Sequence, residues 1–259
     1  MTISIHTTLE YDFLDPVDVL LQLEAAMIPE QIVHSAHIAI SPVEHFARVD
    51  GHDMIGERIW LRLQGRLSVE YTATVTPQRM IPDWTQLPAL PPHKLPGETV
   101  QYLLPSRYCP SDKFEALVEA EFGNLDGGPR IAAIRDWIAG NFTYCAGASH
   151  AGTDAIDSYV TRQGVCRDYA HVLVAFARAS TIPARFVSVY APDVKPQDFH
   201  AVAEVFLDGA WHLVDPTGMA EAADMVKIGV GRDAADVSFL TSYGRATLIT
   251  QTVDVTRLA

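Results

Sequence analysis

The stretch Gly164-Val165-Cys166-Arg167-Asp168-Tyr169-Ala170 decides how the chain is read. It reads as a tight turn running straight into the first turn of a helix. Gly164 permits the turn, because glycine reaches positive φ at little steric cost. From Cys166 to Ser180, apolar residues fall at Ala170, Leu173, Val174 and Ala177, which is helical spacing. Cys166 is therefore expected at or near a helix N-terminus. Free N–H groups and the positive end of the helix dipole favour an anion there. For a cysteine that anion is the thiolate, the nucleophilic form. A thiol kept for packing would more naturally sit mid-helix on the apolar face.

Downstream, the helix is expected to stop at Thr181-Ile182-Pro183, since proline cannot continue it. Ala184 to Tyr190 is apolar and β-branched and reads as a strand. His200 to Leu207 alternates, Asp208-Gly209 is a strong hairpin signal, and Trp211 to Val214 returns. Counting outward from that turn pairs Leu207 with Ala210, Phe206 with Trp211, and so on to Val202 with Asp215. His200 lies two positions beyond the residue opposite Asp215, so both side chains fall on one face of the sheet. That is hydrogen-bonding geometry for an imidazole oriented by a carboxylate. Residues from Glu221 onward read as irregular, with Gly229 to Asp233 as a turn and a final strand over Ala246 to Val255.

Upstream, two amphipathic helices are expected. Asp112 to Phe122 is capped by Ser111, and Arg130 to Phe142 follows Pro129 at its first position. Thr153 or Asp154 can cap a short helix ending near Thr161. Residues 81 to 105 are proline-rich with little periodicity, and read as an extended, semi-rigid linker. Residues 1 to 80 alternate with period two in Thr, Val, Ile and Tyr, as a half-buried antiparallel sheet prefers. Strand candidates there include Glu57 to Leu63 and Arg66 to Val75, with Gly65 as a hairpin between them. The expected organisation is an all-β, sandwich-like domain over 1–80, a linker over 81–105, and an α+β catalytic domain over 106–259.

Composition narrows the function classes. The chain has 259 residues, of which 48% are hydrophobic and 20% charged, an ordinary globular balance. A net charge of −13 with no Lys/Arg cluster argues against binding nucleic acid or anionic membrane. The N-terminus carries no signal-peptide pattern and no apolar run is long enough to span a bilayer. Three cysteines without CxxC spacing argue against a disulfide framework or a zinc ribbon, and a cytoplasmic location is expected. His150, His212 and the N-terminal histidines lack ligand spacing, so neither a metal nor a cofactor is expected. Cys109 and Cys145 read as structural thiols, and Asp168 as an acid favoured by its position in the first helical turn.

Cys166, His200 and Asp215 together are the set that thiol acyl-transfer chemistry needs. An imidazolium beside a helix N-terminus holds the thiolate, the imidazole protonates the leaving group, and the carboxylate sets its tautomer. The oxyanion needs the Cys166 N–H and a second donor, for which Gln163 is a candidate. Gly164 to Ala170, His200-Ala201-Val202-Ala203-Glu204-Val205 and Trp211-His212-Leu213-Val214-Asp215-Pro216-Thr217 resemble the three core motifs of the transglutaminase-like superfamily. The chain is most similar to the bacterial subgroup described as candidate cysteine proteases, and its β region resembles the domain that accompanies their core. The resemblance implies a papain-like α+β fold with Cys166, His200 and Asp215 as the triad. Val202 departs from the pattern, since many members carry tryptophan after His-Ala, and this bears on the shape of the substrate pocket. No calcium site of the animal enzymes is matched. The expected reaction is amide hydrolysis of a peptide or protein through a thioester. The alternatives are acyl transfer to an amine and a non-catalytic peptide-binding scaffold.

Overall fold

The computed structural model describes residues 1–258. The alternating N-terminal region builds long strands: β1 (Thr2–Leu21), β2 (Gln31–Ile40), β3 (His45–Asp50) and β4 (Glu57–Pro77). The two strands expected around Gly65 are one. Gly65 has a φ of 87° and faces Phe13. There, three residues of β1 (Leu14, Asp15 and Pro16) stand against Gln64 alone, and the register shifts. Glycine is needed at this position for its left-handed backbone, not for a chain reversal. The segment from Val17, whose spacing left a helical reading open, continues β1. Alternate residues of β1 and β4 point into one apolar core containing Ile5, Leu9, Phe13, Leu61, Val69 and Tyr71.

Residues 81–105 are not an extended linker. They form short 3-10 turns at Trp84–Gln86, Pro92–Lys94 and Gly97–Leu103, and Tyr102 is fully buried. Gly128 N donates to Leu87 O at 2.8 Å and Asp208 N donates to Pro88 O at 3.1 Å, which pins the segment to the helical body. Prolines remove donors and set φ. They do not prevent packing when the chain turns every few residues.

The helices follow as α1 (Glu115–Phe122) and α2 (Gly127–Asn141). Ser111 belongs to a 3-10 turn ahead of α1 and makes no cap hydrogen bond, and Pro129 is the third residue of α2. Next come β5 (Thr143–Tyr144), α3 (Ala155–Thr161), β6 (Gln163–Gly164) and α4 (Cys166–Ala179). Asp154 caps α3 by accepting from Ile156 N and Asp157 N. The second sheet contains β7 (Ala184–Tyr190), β8 (His200–Leu207), β9 (Ala210–Val214) and β10 (Val226–Gly231), in the order β10-β7-β8-β9. Gly229 to Gly231, read from sequence as part of a turn, is the end of β10.

α4 lies between this sheet and the other helices. Ala170, Val174 and Phe176 have no exposed surface, and neither does nearly every other residue of its middle turns. Its apolar stripe therefore understates its burial. Arg178 near its end is also buried, donating to Ala184 O, Leu104 O and Arg232 O.

The chain then runs through α5 (Ala234–Val237) to β11 (Leu240–Ser242) and β12 (Thr247–Leu258). These last strands, assigned from sequence to the catalytic domain, pair antiparallel with β1. The N-terminal β region is thus completed by the C-terminal residues, as one six-stranded sheet. Tyr190, Val226 and Ile228 of the second sheet join its apolar core. Local alternation identifies a strand but carries no information about which distant edge it will cover.

Candidate active site

Cys166 is the first residue of α4. The carboxylate of Asp168 accepts from the Val165 N–H at 2.8 Å, closing the helix start, and from Ser149 Oγ at 2.6 Å. Gly164 is needed for a reason other than the expected one. It lies in the extended strand β6, and a Cβ there would meet Asp168 Cβ and Oδ2 at 2.6 Å. The left-handed residue at this corner is Arg162, with φ 56°. Asp168 is fully buried. Its other oxygen takes Arg167 Nη2 at 3.0 Å, so the helix start is held by a neutralised carboxylate.

The hairpin places the other two residues. Asp208 and Gly209 both have positive φ, 48° and 82°, as a tight two-residue turn requires. Leu207 pairs with Ala210 and the ladder runs to Ala203 with Val214, the register counted from the sequence. At its open end His200 Nε2 lies 2.9 Å from Asp215 Oδ2. Asp215 Oδ2 also accepts from Ala220 N at 2.9 Å, and its Oδ1 accepts from Thr217 N and Oγ1 at 2.8 and 2.7 Å. Burial alone would raise this carboxyl, but the His200 and Thr217 hydrogen bonds hold it below its ordinary value.

His200 is 1% exposed. Because Nε2 is held by Asp215, Nδ1 is left buried without a hydrogen-bond partner among the described residues. The Cys166 thiol lines the same cleft as the ring and donates to the Phe199 carbonyl at 4.0 Å. Burial works against the imidazolium, but Asp215 and Cys166 outweigh it and raise His200 to about 9. The structure therefore brings the three residues singled out in the sequence to one place. Cys166 and His200 open on a cleft of about 250 Å³ whose walls include Phe186, Ala201, Ala234 and Phe239.

Tyr144 was not anticipated. β5 and β6 pair in parallel, with Tyr144 opposite Gly164. This packs the Tyr144 ring against the apolar cluster that contains Cys166. Burial first, and the charge of Cys166 second, raise Tyr144 above the ordinary phenol value, so it stays protonated as a donor. Gln163, the donor considered from sequence, has an exposed side chain. Nothing in Asn141 to Tyr144 alone marks the tyrosine, because its position depends on a strand pairing across α3.

Val202, where the family pattern has tryptophan, is fully buried among Val187, Leu213 and Val230, in a separate apolar cluster rather than the cleft wall. Its effect is on core packing. Cys109 is fully buried, and that burial pushes its thiol up to about 12, the behaviour of a structural cysteine. Among the described residues, no group of three or more His, Cys, Asp or Glu side chains is arranged to hold a metal ion.

Residues 118–216 match the family model described as the transglutaminase-like superfamily, a span that takes in Cys166, His200 and Asp215. The crystal structure of a candidate cysteine protease from Cytophaga hutchinsonii superposes with a TM-score of 0.94 at 32% identity, over 100% of this chain and 91% of that one. The chain belongs to the transglutaminase-like superfamily. This likeness covers the N-terminal sheet as well as the transglutaminase-like core. An uncharacterised protein of Mycobacterium leprae is 28% identical over 205 residues, 74% of this chain and 72% of the relative. An uncharacterised Mycobacterium tuberculosis protein is 32% identical over 128 residues, 42% of this chain and 40% of its own length. No helix among the described residues is long and apolar enough to cross a membrane.

Proposed function

We propose that this transglutaminase-like protein is a cysteine-dependent amide-bond hydrolase acting on a peptide or protein through a thioester acyl-enzyme. The observation that carries the reading is the buried His200 ring, held at Nε2 by Asp215 and left free at Nδ1 beside a cysteine at a helix N-terminus. Cys166 Sγ attacks the carbonyl carbon of the scissile amide. The oxyanion is held by the Cys166 N–H and the Tyr144 hydroxyl. His200 Nδ1 gives its proton to the leaving nitrogen, the C–N bond breaks, and the amine departs. His200 then takes a proton from water as the water attacks the thioester. The acid is released and Cys166 recovers its proton. Asp215 keeps the ring oriented and stabilises its charge throughout. Three free cysteines suit the reducing cytoplasm, where we place the reaction.

The test is incubation with a peptide library, with and without an added primary amine, read by mass spectrometry. The expected products are cleaved or deamidated peptides, and a thioester adduct on Cys166 trapped at low pH. Cys166→Ala abolishes both. Incorporation of the amine in place of water would assign the protein as a transferase. Activity or adduct that persists in Cys166→Ala would remove the reading altogether.

A further inference from the structure

We propose that Asp198 makes the cleft selective for substrates carrying a cationic side chain, lysine or arginine, next to the amide that reacts. This deepens the hydrolase reading and rests on it. The argument begins with the charges that line the cleft. Cys166, Arg167, Asp198 and His200 all border it, and the remaining walls are mostly apolar. If Cys166 and His200 carry opposite charges, they sum to zero. Arg167 is matched by the buried Asp168 carboxylate at 3.0 Å, and its Nη2 also donates to His150 O at 2.9 Å. Asp198 is the charge left over.

Asp198 is exposed, and among the described residues no cationic side chain pairs with it. Its Oδ1 accepts from two neutral donors, Phe199 N at 2.7 Å and Gln251 Nε2 at 2.6 Å. Neither donor cancels its charge, and both hold it in place. Gln251 belongs to β12, so the N-terminal sheet supplies the strut that orients this part of the cleft wall. Phe199 stacks on Phe239 with ring centroids 4.5 Å apart and an interplanar angle of 7°, fixing the segment from the other side. The Asp198 charge also contributes to raising Tyr144, whose ring packs against the cluster containing Cys166. A lysine or arginine side chain can lay its methylenes along the apolar wall and its charge against Asp198. An acidic side chain there would be repelled.

The test reads this field without needing a substrate. Cys166 is modified with three methanethiosulfonate reagents, cationic, neutral and anionic, and its rate is followed by peptide mass spectrometry. The neutral reagent corrects each variant for changes in thiol reactivity. Removing one unpaired charge near the nucleophile is expected to lower the cationic-to-anionic rate ratio in Asp198→Asn by about three- to tenfold at low salt, and by less at high salt. Asp198→Glu retains the ratio. In peptide assays, Asp198→Asn narrows the preference for a lysine over a glutamate peptide by a similar factor. A ratio unchanged in Asp198→Asn, with Cys166 still reactive through His200, would overturn the selectivity and leave the hydrolase reading intact. Equal, slow reaction with all three reagents, unaffected by His200→Ala, would overturn both.

Discussion

His200 and Asp215 meet across the open end of a hairpin, with Nε2 and Oδ2 2.9 Å apart, Asp215 one residue and His200 three residues beyond the last rung of the β8–β9 ladder. The bond is buried, and it leaves Nδ1 as the only ring atom able to serve Cys166. Asp215→Asn keeps the shape but loses the charge and can present the wrong donor to the ring. Loss of about 10²- to 10⁴-fold in kcat is expected, with a much smaller change in KM. Steady-state kinetics on the best peptide from the library measure the split.

The raised His200 value sets a pH window. A group whose pKa is higher folded than unfolded adds stability that is complete below the unfolded value, 6.5 here. That contribution is lost as pH rises through about 9. Urea unfolding of wild type and His200→Gln at pH 6, 7.5 and 9.5 is expected to show the wild-type advantage shrinking toward high pH. Turnover falls over the same upper limb, because the imidazolium that protonates the leaving nitrogen disappears. A wild-type advantage that grows with pH would reverse the sign of this account.

Tyr144→Phe removes one hydrogen-bond donor while leaving the ring that packs beside Cys166. If the hydroxyl holds the oxyanion, kcat drops by roughly 10²- to 10³-fold. Alkylation of Cys166 by iodoacetamide, which forms no oxyanion, stays within a few-fold of wild type. Loss of both in parallel would mean that the tyrosine only supports the thiol.

Glu204 lies at the centre of a buried charge cluster behind the site. One oxygen meets Lys227 Nζ at 2.5 Å and the other meets Arg185 Nη2 at 2.7 Å. Burial would raise this carboxyl, but Lys227 and Arg185 hold it down at about 2. Its contribution to stability is present above the ordinary carboxylate value and is lost only as pH falls through about 2. Glu204→Gln leaves two buried cations underpaired and is expected to cost about 3 to 5 kcal/mol in urea unfolding. His200 and Glu204 share a strand and alternate rows of one face, so a loss of activity in this variant should follow its loss of fold.

The contrast between Asp215 and Tyr144 separates what was legible in the sequence from what was not. Cys166 at a helix start, and His200 and Asp215 at the two ends of a hairpin, follow from short-range rules. Helical periodicity begins after Gly164, and a two-residue turn with both φ values positive at Asp208 and Gly209 sets the register of everything beyond it. Such rules act over a few residues, so the chain itself carries them. Gly164 is required by the Asp168 side chain folding back over it, not by a left-handed backbone.

Tertiary structure alone decided the rest. Tyr144 reaches Cys166 because β5 and β6 pair across α3. Gln251 reaches Asp198 because β12 returns to the edge of β1 rather than closing the second sheet. Residues 81–105 pack as turns because Tyr102 finds a buried place, donating to Asp53 Oδ2 at 2.5 Å. Each of these is a contact between segments far apart in the chain. It is chosen by which apolar faces and unpaired strand edges remain to be covered once the local elements exist, and periodicity in one segment carries no record of that competition.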